Sequence, residues 1–352
     1  LNNNAQSLLT LVNELMDFRS IENNKMKLEV EKTDANAQVD KIASNFVDYA
    51  KQHDIRYEIE LDRSLSKNTY IDRYLLEKIL MNLLNNAFKY TKSKGFISIK
   101  TFASCNQFES TYDSSYTIGE KEKGRDYFSI VIRDSGVGIS KESISKVFER
   151  FYKVQTNDID SHLGTGIGLA LVKSMTILHK GTISIYSLRD KGTDFVVCFP
   201  IGRDAYSDNE FKIVDDQQEL KQTQNMEDTE DGSYLLPDED SEGFVKDSRN
   251  KILLVEDNAD LRKLISDSLI DTYDVIEAED GVVASELLNK FEIDLILSDI
   301  MMPRKDGIEF CSEVKGDIDT SHIPFIILSA KTTVDSKIEG ADSGADIYFA
   351  KA

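Results

Sequence analysis

Between Arg203 and Arg249 the chain stops building hydrophobic cores. This stretch carries fifteen Asp or Glu against five Lys or Arg, a net −10, and few apolar residues. Gly232, Pro237 and Gly243 interrupt what pattern remains. Such a segment buries too little apolar surface to offset the entropy of ordering it, and it reads as an acidic, flexible linker over 203–249. The chain is therefore expected to form two units, on either side of this break, each closing its own core.

Downstream of the break, strands alternate with helices. "KILLVED", "DVIEAED", "DLILSDI", "PFIILSA" and "DIYFAKA" read as strands, with helices at 259–272, 282–290, 307–315 and 334–342. Nearly continuous apolar strands separated by helices predict a parallel, doubly wound sheet over 250–352. Parallel strands bring all their C-termini to one edge, so Glu256, Asp257, Asp299, Ser329 and Lys351 should converge there. Three carboxylates at one point repel one another unless a divalent cation sits among them. The last strand ends the chain, and the helix expected after it is absent.

Upstream, residues 28–202 mix the two periods. "KMKLEVEKT" alternates as a strand, and Asp34 caps a helix running to about His53. "RYEIELD" is a strand, and Asp72 caps a helix over 72–91. "FISIKTF" with "YFSIVIR", and "GTISIYS" with "GTDFVVCFP", read as two strand pairs; the polar stretch inside the first pair is a loop. A mostly antiparallel or mixed sheet covered by helices on one face gives a two-layer α/β sandwich. The opening stretch, residues 1–27, repeats Leu8, Leu11, Val12, Leu15, Phe18 and Ile21 at helical spacing. So broad an apolar face requires a bundle partner.

Bulk properties exclude several classes. A formal charge of −21 repels nucleic acid and anionic membranes. No apolar run reaches membrane-spanning length. Cys105, Cys198 and Cys311 lie far apart with no CxxC pair, pointing to buried thiols in a reducing compartment. The chain opens at Leu1, inside a helical pattern, and reads as a fragment of something larger.

"HLGTGIGLAL", residues 162–171, places Gly164, Gly166 and Gly168 in five positions. Its GxGxG spacing and the polar segment before it do not fit the strand-to-helix context of a dinucleotide fingerprint. A segment entering glycines and then a helix N-terminus fits a polyphosphate cradle beneath a lid. "MNLLNNAFKY" sets Asn82 and Asn86 on one helix face, with Lys89 and Tyr90 a turn on. An amide oxygen can ligate a hard Mg²⁺ bridging phosphates, and a lysine can neutralise them. "VIRDSGVGI" ends a strand in Asp134, whose carboxylate can accept a hydrogen bond from an exocyclic amine while the glycines admit a flat base.

"NLLNNAFKY", "DSGVGI", "FERFYK" and "GTGIGLAL", in that order, resemble the N, G1, F and G2 boxes of a sensor histidine kinase. The resemblance, over residues 1–202, implies a Bergerat-type ATP-binding domain at 28–202. Asn86 would hold Mg²⁺; Asn82, Lys89 and Tyr90 would line the phosphate and ribose side. Asp134 would read adenine between Gly136 and Gly138, with Thr193 in the water network beside it. Phe148 and Phe151 would anchor the lid, and Gly164, Gly166 and Gly168 would form its phosphate-facing end. Lys153 stands where the family usually has arginine, supplying the charge without the planar fork.

The same resemblance makes residues 1–27 the second helix of a dimerisation hairpin, hence a homodimer. It implies an acceptor histidine on the first helix. None of His53, His162, His179 or His322 has that helical setting, so the acceptor is expected upstream of Leu1. "SDIMMPRKDG" and the convergent acids resemble a response-regulator receiver, of flavodoxin-like fold, over 250–352. There Asp299 would be the phosphoacceptor. Glu256, Asp257 and the Met301 carbonyl would seat Mg²⁺, Ser329 and Lys351 would hold the phosphoryl group, and Tyr348 would be the reorienting aromatic. Ala352 stands where proline is usual.

The implied whole is a hybrid kinase of a phosphorelay, using ATP and Mg²⁺. It would be cytoplasmic, without membrane or nucleic-acid contact in this stretch, and would serve phosphorelay partners or a downstream output domain. Its rivals are an ATP-driven conformational switch and a scaffold with a degenerate nucleotide site.

Overall fold

The computed structural model describes residues 2–23, 25–153, 166–212, 249–329 and 344–350. His162, Gly164, Lys351, Ala352, the expected helix at 334–342 and linker residues 213–248 lie outside the described residues.

In chain order the first part contains α1 (Asn2–Glu22), β1 (Glu31–Thr33), α2 (Ala35–Ser44), α3 (Val47–Gln52), β2 (Arg56–Glu60), β3 (Thr69–Ile71) and α4 (Arg73–Tyr90). Then come β4 (Phe96–Phe102), β5 (Ser115–Ile118), β6 (Tyr127–Asp134), α5 (Gly168–Leu178), β7 (Thr182–Leu188) and β8 (Gly192–Pro200). Six strands form one mixed sheet in the order β2-β4-β6-β8-β7-β5, parallel between β2 and β4 and antiparallel elsewhere. α4 buries Leu76, Ile79, Leu80, Leu83 and Leu84, a stripe at helical spacing, in one cluster with Ile99, Ile130 and Val197 of the sheet and Met175 of α5.

Asp34 and Asp72 cap α2 and α4 as expected, accepting from the N–H groups of Ala37 and Leu75. The single helix expected from Asp34 to His53 is two. The chain turns at Asn45–Phe46, and Phe46 stacks on Phe88 of α4 with ring centroids 5.2 Å apart. The expected loop after β4 contains β5, which adds a sixth strand at the sheet edge.

The linker expectation is wrong at its start. Residues 203–212 fold back onto the first domain. Tyr206 is buried, Phe211 packs edge-on against Tyr70, and the Val30 N–H and Lys212 N–H exchange backbone bonds with Glu210 and Val30. His179, fully buried at the end of α5, joins this segment to α4. Its Nε2 accepts from the Asp72 N–H at 2.9 Å, so Nδ1 carries the proton and donates to the Tyr206 hydroxyl at 3.0 Å. Ala205, Tyr206 and Phe211 thus hold ten residues that their charge alone would leave in solvent.

The second part contains β9 (Lys251–Val255), α6 (Ala259–Leu269), β10 (Asp274–Ala278), α7 (Gly281–Leu288), β11 (Leu295–Asp299), α8 (Gly307–Gly316), β12 (Phe325–Ser329) and β13 (Ile347–Ala350). Its five strands are all parallel, in the order β10-β9-β11-β12-β13. Asn258, Asp280 and Asp306 cap the three helices.

The stripe on α1 meets this second sheet. Leu8, Leu11, Val12, Leu15 and Met16 share a cluster with Ile252, Leu254, Leu295, Leu297, Ile326 and Leu328, covering the part of the face that α6 leaves open. The Tyr273 hydroxyl donates to Asn13 Oδ1 at 2.6 Å, and the Arg19 guanidinium donates to the Asp294 carbonyl. In this chain the stripe is covered by a β-sheet.

The cysteine expectation is also corrected. Cys105 and Cys198, 93 residues apart, are brought to a Cα separation of 6.2 Å and joined as a disulfide. Cys311 alone is a buried free thiol.

Burial holds the His179 imidazole down to about pKa 4, below its ordinary 6.5. Its neutral form belongs to the fold, so this group's contribution is present above pH 6.5 and lost as pH falls from there toward 4. Replacing Tyr206 with Phe leaves the buried Nδ1–H without its acceptor and should cost about 1–3 kcal/mol. Urea unfolding at pH 7 measures this; an unchanged midpoint contradicts the packing of 203–212.

Candidate functional site

The end of β6 sets the first site. β6 pairs with β8 in a register that places Asp134 opposite Thr193. Asp134, the last residue of β6 and 6% exposed, ends a strand buried along almost its whole length. It accepts from the Gly136 N–H at 2.8 Å and from the Thr193 N–H. Burial outweighs those two bonds and the nearby Asp194 adds to it, so the carboxyl is pushed up to about 7.

Asp134 opens into a pocket of about 320 Å³. Of the expected residues, Asn82, Asn86, Lys89, Tyr90, Asp134, Gly138, Lys153, Gly166, Gly168 and Thr193 line it together. Gly136 stands behind Asp134 as a hydrogen-bond donor and is not itself lining. Apolar walls come from Val137, Ile139, Val147, Leu169 and Phe195. Apolar walls with a few convergent polar groups are the ordinary make-up of a small-molecule site.

Helix α4 supplies one side of the pocket. Asn82 and Asn86 are one turn apart, and the Asn82 amide nitrogen donates to the Lys78 carbonyl at 3.0 Å, fixing its oxygen the other way. That oxygen would lie 2.4 Å from any Cβ added at Gly168, so a side chain there would push the Asn82 amide aside. Gly168 and Leu169, in the first turn of α5, thereby line the pocket at the positive end of the helix. Lys89 is exposed at the pocket rim, and desolvation lowers the pKa of its ammonium.

The opposite wall depends on Gly138, at φ +61, where a Cβ would strike the Leu188 carbonyl oxygen at 2.1 Å. Phe148 is buried in the core of the domain. Phe151, also at positive φ, donates its N–H to the Gly166 carbonyl at 2.9 Å and packs in the α1 cluster.

Sequence reasoning missed three polar contributors. Ser187 on β7 gathers the site's back wall: its hydroxyl donates to the Gly192 carbonyl, accepts from the Ile139 N–H, and meets Thr193 Oγ1, all within 3.0 Å. Asn85 lines the pocket beside Asn86 and was legible within "NLLNNAFKY". Glu14 of α1 also lines it, and no local pattern announced that.

The second site lies at the C-terminal edge of the parallel sheet. Carboxylate oxygens of Glu256, Asp257 and Asp299 lie within 4.8 Å of one another. Glu256 is buried, Asp257 exposed and Asp299 half-buried. The Ile300 N–H donates to Asp299 Oδ1 at 2.7 Å. Ser329 ends β12 as a buried residue, and Met301 is 74% exposed. Tyr348 packs its ring with the core between the sheet and α7 and α8. Beside the trio, Asp280 is held by the N–H groups of Val282 and Val283 and by Arg304.

Residues 71–203 match the family model of histidine kinase-, DNA gyrase B- and HSP90-like ATPases, and residues 252–352 that of the response regulator receiver domain. The chain joins these two domains in series. It is 37% identical over 360 residues to Histidine kinase P4 of Formosa agariphila, covering 99% of this chain and 24% of that one. It is 30% identical to Sensor histidine kinase TmoS of Ectopseudomonas mendocina, covering 99% of this chain and 34% of that one. The chain thus spans about a quarter to a third of the length of these curated relatives. Among the described residues, no helix is long and apolar enough to cross a membrane.

The ATPase domain keeps a stability cost at its pocket. Asp134 has a folded-state pKa near 7 against about 3.9 unfolded. The folded state therefore holds the extra proton between those values, and stability falls as pH rises from 4 to 7. Asp134→Asn removes the buried charge. It should be more stable than the parent at pH 8.5 by about 1–3 kcal/mol, the difference vanishing near pH 4. Denaturant unfolding at both pH values checks this; equal stability at pH 8.5 contradicts it.

Proposed function

We propose that this chain is the catalytic and receiver portion of a hybrid histidine kinase working in a phosphorelay. The single observation that carries the reading is that one chain pairs an Asp134-based pocket with a carboxylate trio at the edge of a parallel sheet. A switch or scaffold that used nucleotide without phosphoryl transfer would have no use for the trio.

In this reading ATP lies in the pocket with its adenine amine donating to Asp134. Flat apolar walls exclude water from the base. Lys89, Lys153 and the α5 N-terminus offset phosphate charge, and the Asn86 amide oxygen fits a hard Mg²⁺. The phosphoryl group passes to a histidine on the hairpin helix preceding α1. Among the described histidines, His179 is a buried structural link, while His53 and His322 lie exposed outside any helix, so none of these three is assigned that role.

At the trio, an Asp299 oxygen attacks phosphorus of the phosphohistidine. The P–N bond breaks, the imidazole leaves with a proton, and an acyl phosphate forms. Glu256, Asp257 and the Met301 carbonyl fit a divalent cation by donor chemistry, being hard oxygens with excess negative charge. Such an ion offsets charge on the transferred oxygens. Ser329 and Lys351 hold the remaining oxygens.

The dimer expected of such a kinase would use the α1 stripe, which the receiver sheet covers here, so dimer formation through it requires the receiver to withdraw. The chain is proposed to work in the cytoplasm, within a longer sensor protein.

Incubating the chain with acetyl phosphate and Mg²⁺, followed by intact mass, tests the acceptor. The parent should gain one phosphoryl group, lost with EDTA and absent in Asp299→Asn. A folded parent that gains none, or an Asp299→Asn variant that gains as much, overturns the assignment.

A further inference from the structure

The face of the ATPase sheet turned away from α4 and α5 is crossed by a strap, the segment following β4. Phe102, Cys105 and Phe108 pack onto Tyr127, Val131, Val196 and Cys198. The strap then reaches a half-buried ion pair. Arg133 of β6 grips Asp194 of β8 with two bonds, at 2.6 and 2.8 Å, and lies over the Phe108 ring at 5.6 Å. Ser110 Oγ donates to the same Asp194 carboxylate at 2.6 Å, and the Tyr112 hydroxyl donates to the Lys191 carbonyl at 3.1 Å. The strap ends as β5, paired to β7.

All of these contacts but one are non-covalent. The exception is at the head of the strap, where Cys105 meets Cys198 across a Cα separation of 6.2 Å. That separation suits a disulfide without backbone movement. The two residues differ in access: Cys105 is half-buried on the strap, whereas Cys198 is 3% exposed within β8. Cys105 Sγ also lies 3.2 Å from the Phe128 carbonyl oxygen. A reduced Cys105 thiol thus has an acceptor ready on the same backbone, and both redox states fit one fold.

We propose that Cys105 and Cys198 are a reversible oxidation site that switches the strap between a non-covalent and a covalently fastened state. The oxidant class is a peroxide. The accessible Cys105 thiolate attacks one peroxide oxygen, the O–O bond breaks, and water or an alcohol leaves with a proton, giving a sulfenic acid. The Cys198 sulfur then attacks the Cys105 sulfur and displaces water, the thiol proton leaving with it. Two thiols lose two electrons and the peroxide gains them. A thiol reductant reverses the step by exchange. The bond closes a loop of more than ninety residues, so its chief effect is to restrict opening of the strap and of the unfolded chain.

The test compares the full chain after treatment with a thiol reductant or with a small excess of hydrogen peroxide. Free thiols are alkylated under denaturing conditions, disulfide-linked peptides are mapped, and hydrogen exchange is followed over 106–118. The oxidised chain should yield a Cys105–Cys198 peptide and leave only Cys311 alkylated. Exchange in the strap should slow several-fold, and thermal unfolding should rise by about 5–10 °C. Cys105→Ser, at the half-buried position, should fold as the reduced parent and show no response to peroxide. Cys198→Ala should behave alike, and Cys311→Ser should respond as the parent does. Separately alkylated Cys105 and Cys198 after peroxide, or a crosslink that leaves strap exchange unchanged, overturns the proposal.

Discussion

The ATPase domain depends on the register between β6 and β8. Eight residue pairs, from Tyr127 opposite Pro200 to Asp134 opposite Thr193, run in strict opposition. Side chains alternate faces along a strand, so a slip of one residue would turn Asp134 to the outer face and Arg133 into the pocket. The register is held from both sides. Phe128, Ile130 and Ile132 enter the core shared with α4 and α5, and Arg133 is gripped outside by Asp194. A carboxylate with a raised pKa can sit at the strand end only because so much apolar pairing behind it offsets its desolvation.

The receiver solves a different problem with similar means. Its parallel strands end together, so Glu256, Asp257 and Asp299 are brought into proximity by topology. The apolar strands beneath, buried on both faces, fix that topology. α1 completes one of those faces, which ties the opening helix, the ATPase pocket through Glu14, and the receiver sheet into one packed arrangement.

Much of this was legible because it is local or periodic. The apolar stripe of α4, the caps at Asp34 and Asp72, the parallel strands and their acidic ends all follow from spacing and turn chemistry. Ordered boxes brought the pocket residues together on paper before they met in space. What was not legible is long-range. Periodicity shows that α1 has an apolar face but not that a β-sheet covers it. Composition marks 203–212 as linker, yet Tyr206 and Phe211 find a buried histidine and a tyrosine far upstream. The cysteine pair, spaced 93 residues apart, meets only because a loop crosses the sheet. Ser187 looks like any strand serine until three backbone and hydroxyl groups converge on it.

The central claim is that Asp134 reads an adenine amine. Competition for the pocket tests it most directly: a fluorescent ATP analogue bound to the chain with Mg²⁺ is displaced by ADP or by GDP. The carboxylate accepts from the adenine amine but faces the guanine carbonyl oxygen as a second acceptor, leaving a buried group unpaired. ADP should displace the analogue at a concentration at least about tenfold lower than GDP, matching a loss of roughly 1.4 kcal/mol or more. Equal displacement by the two nucleotides would contradict the account.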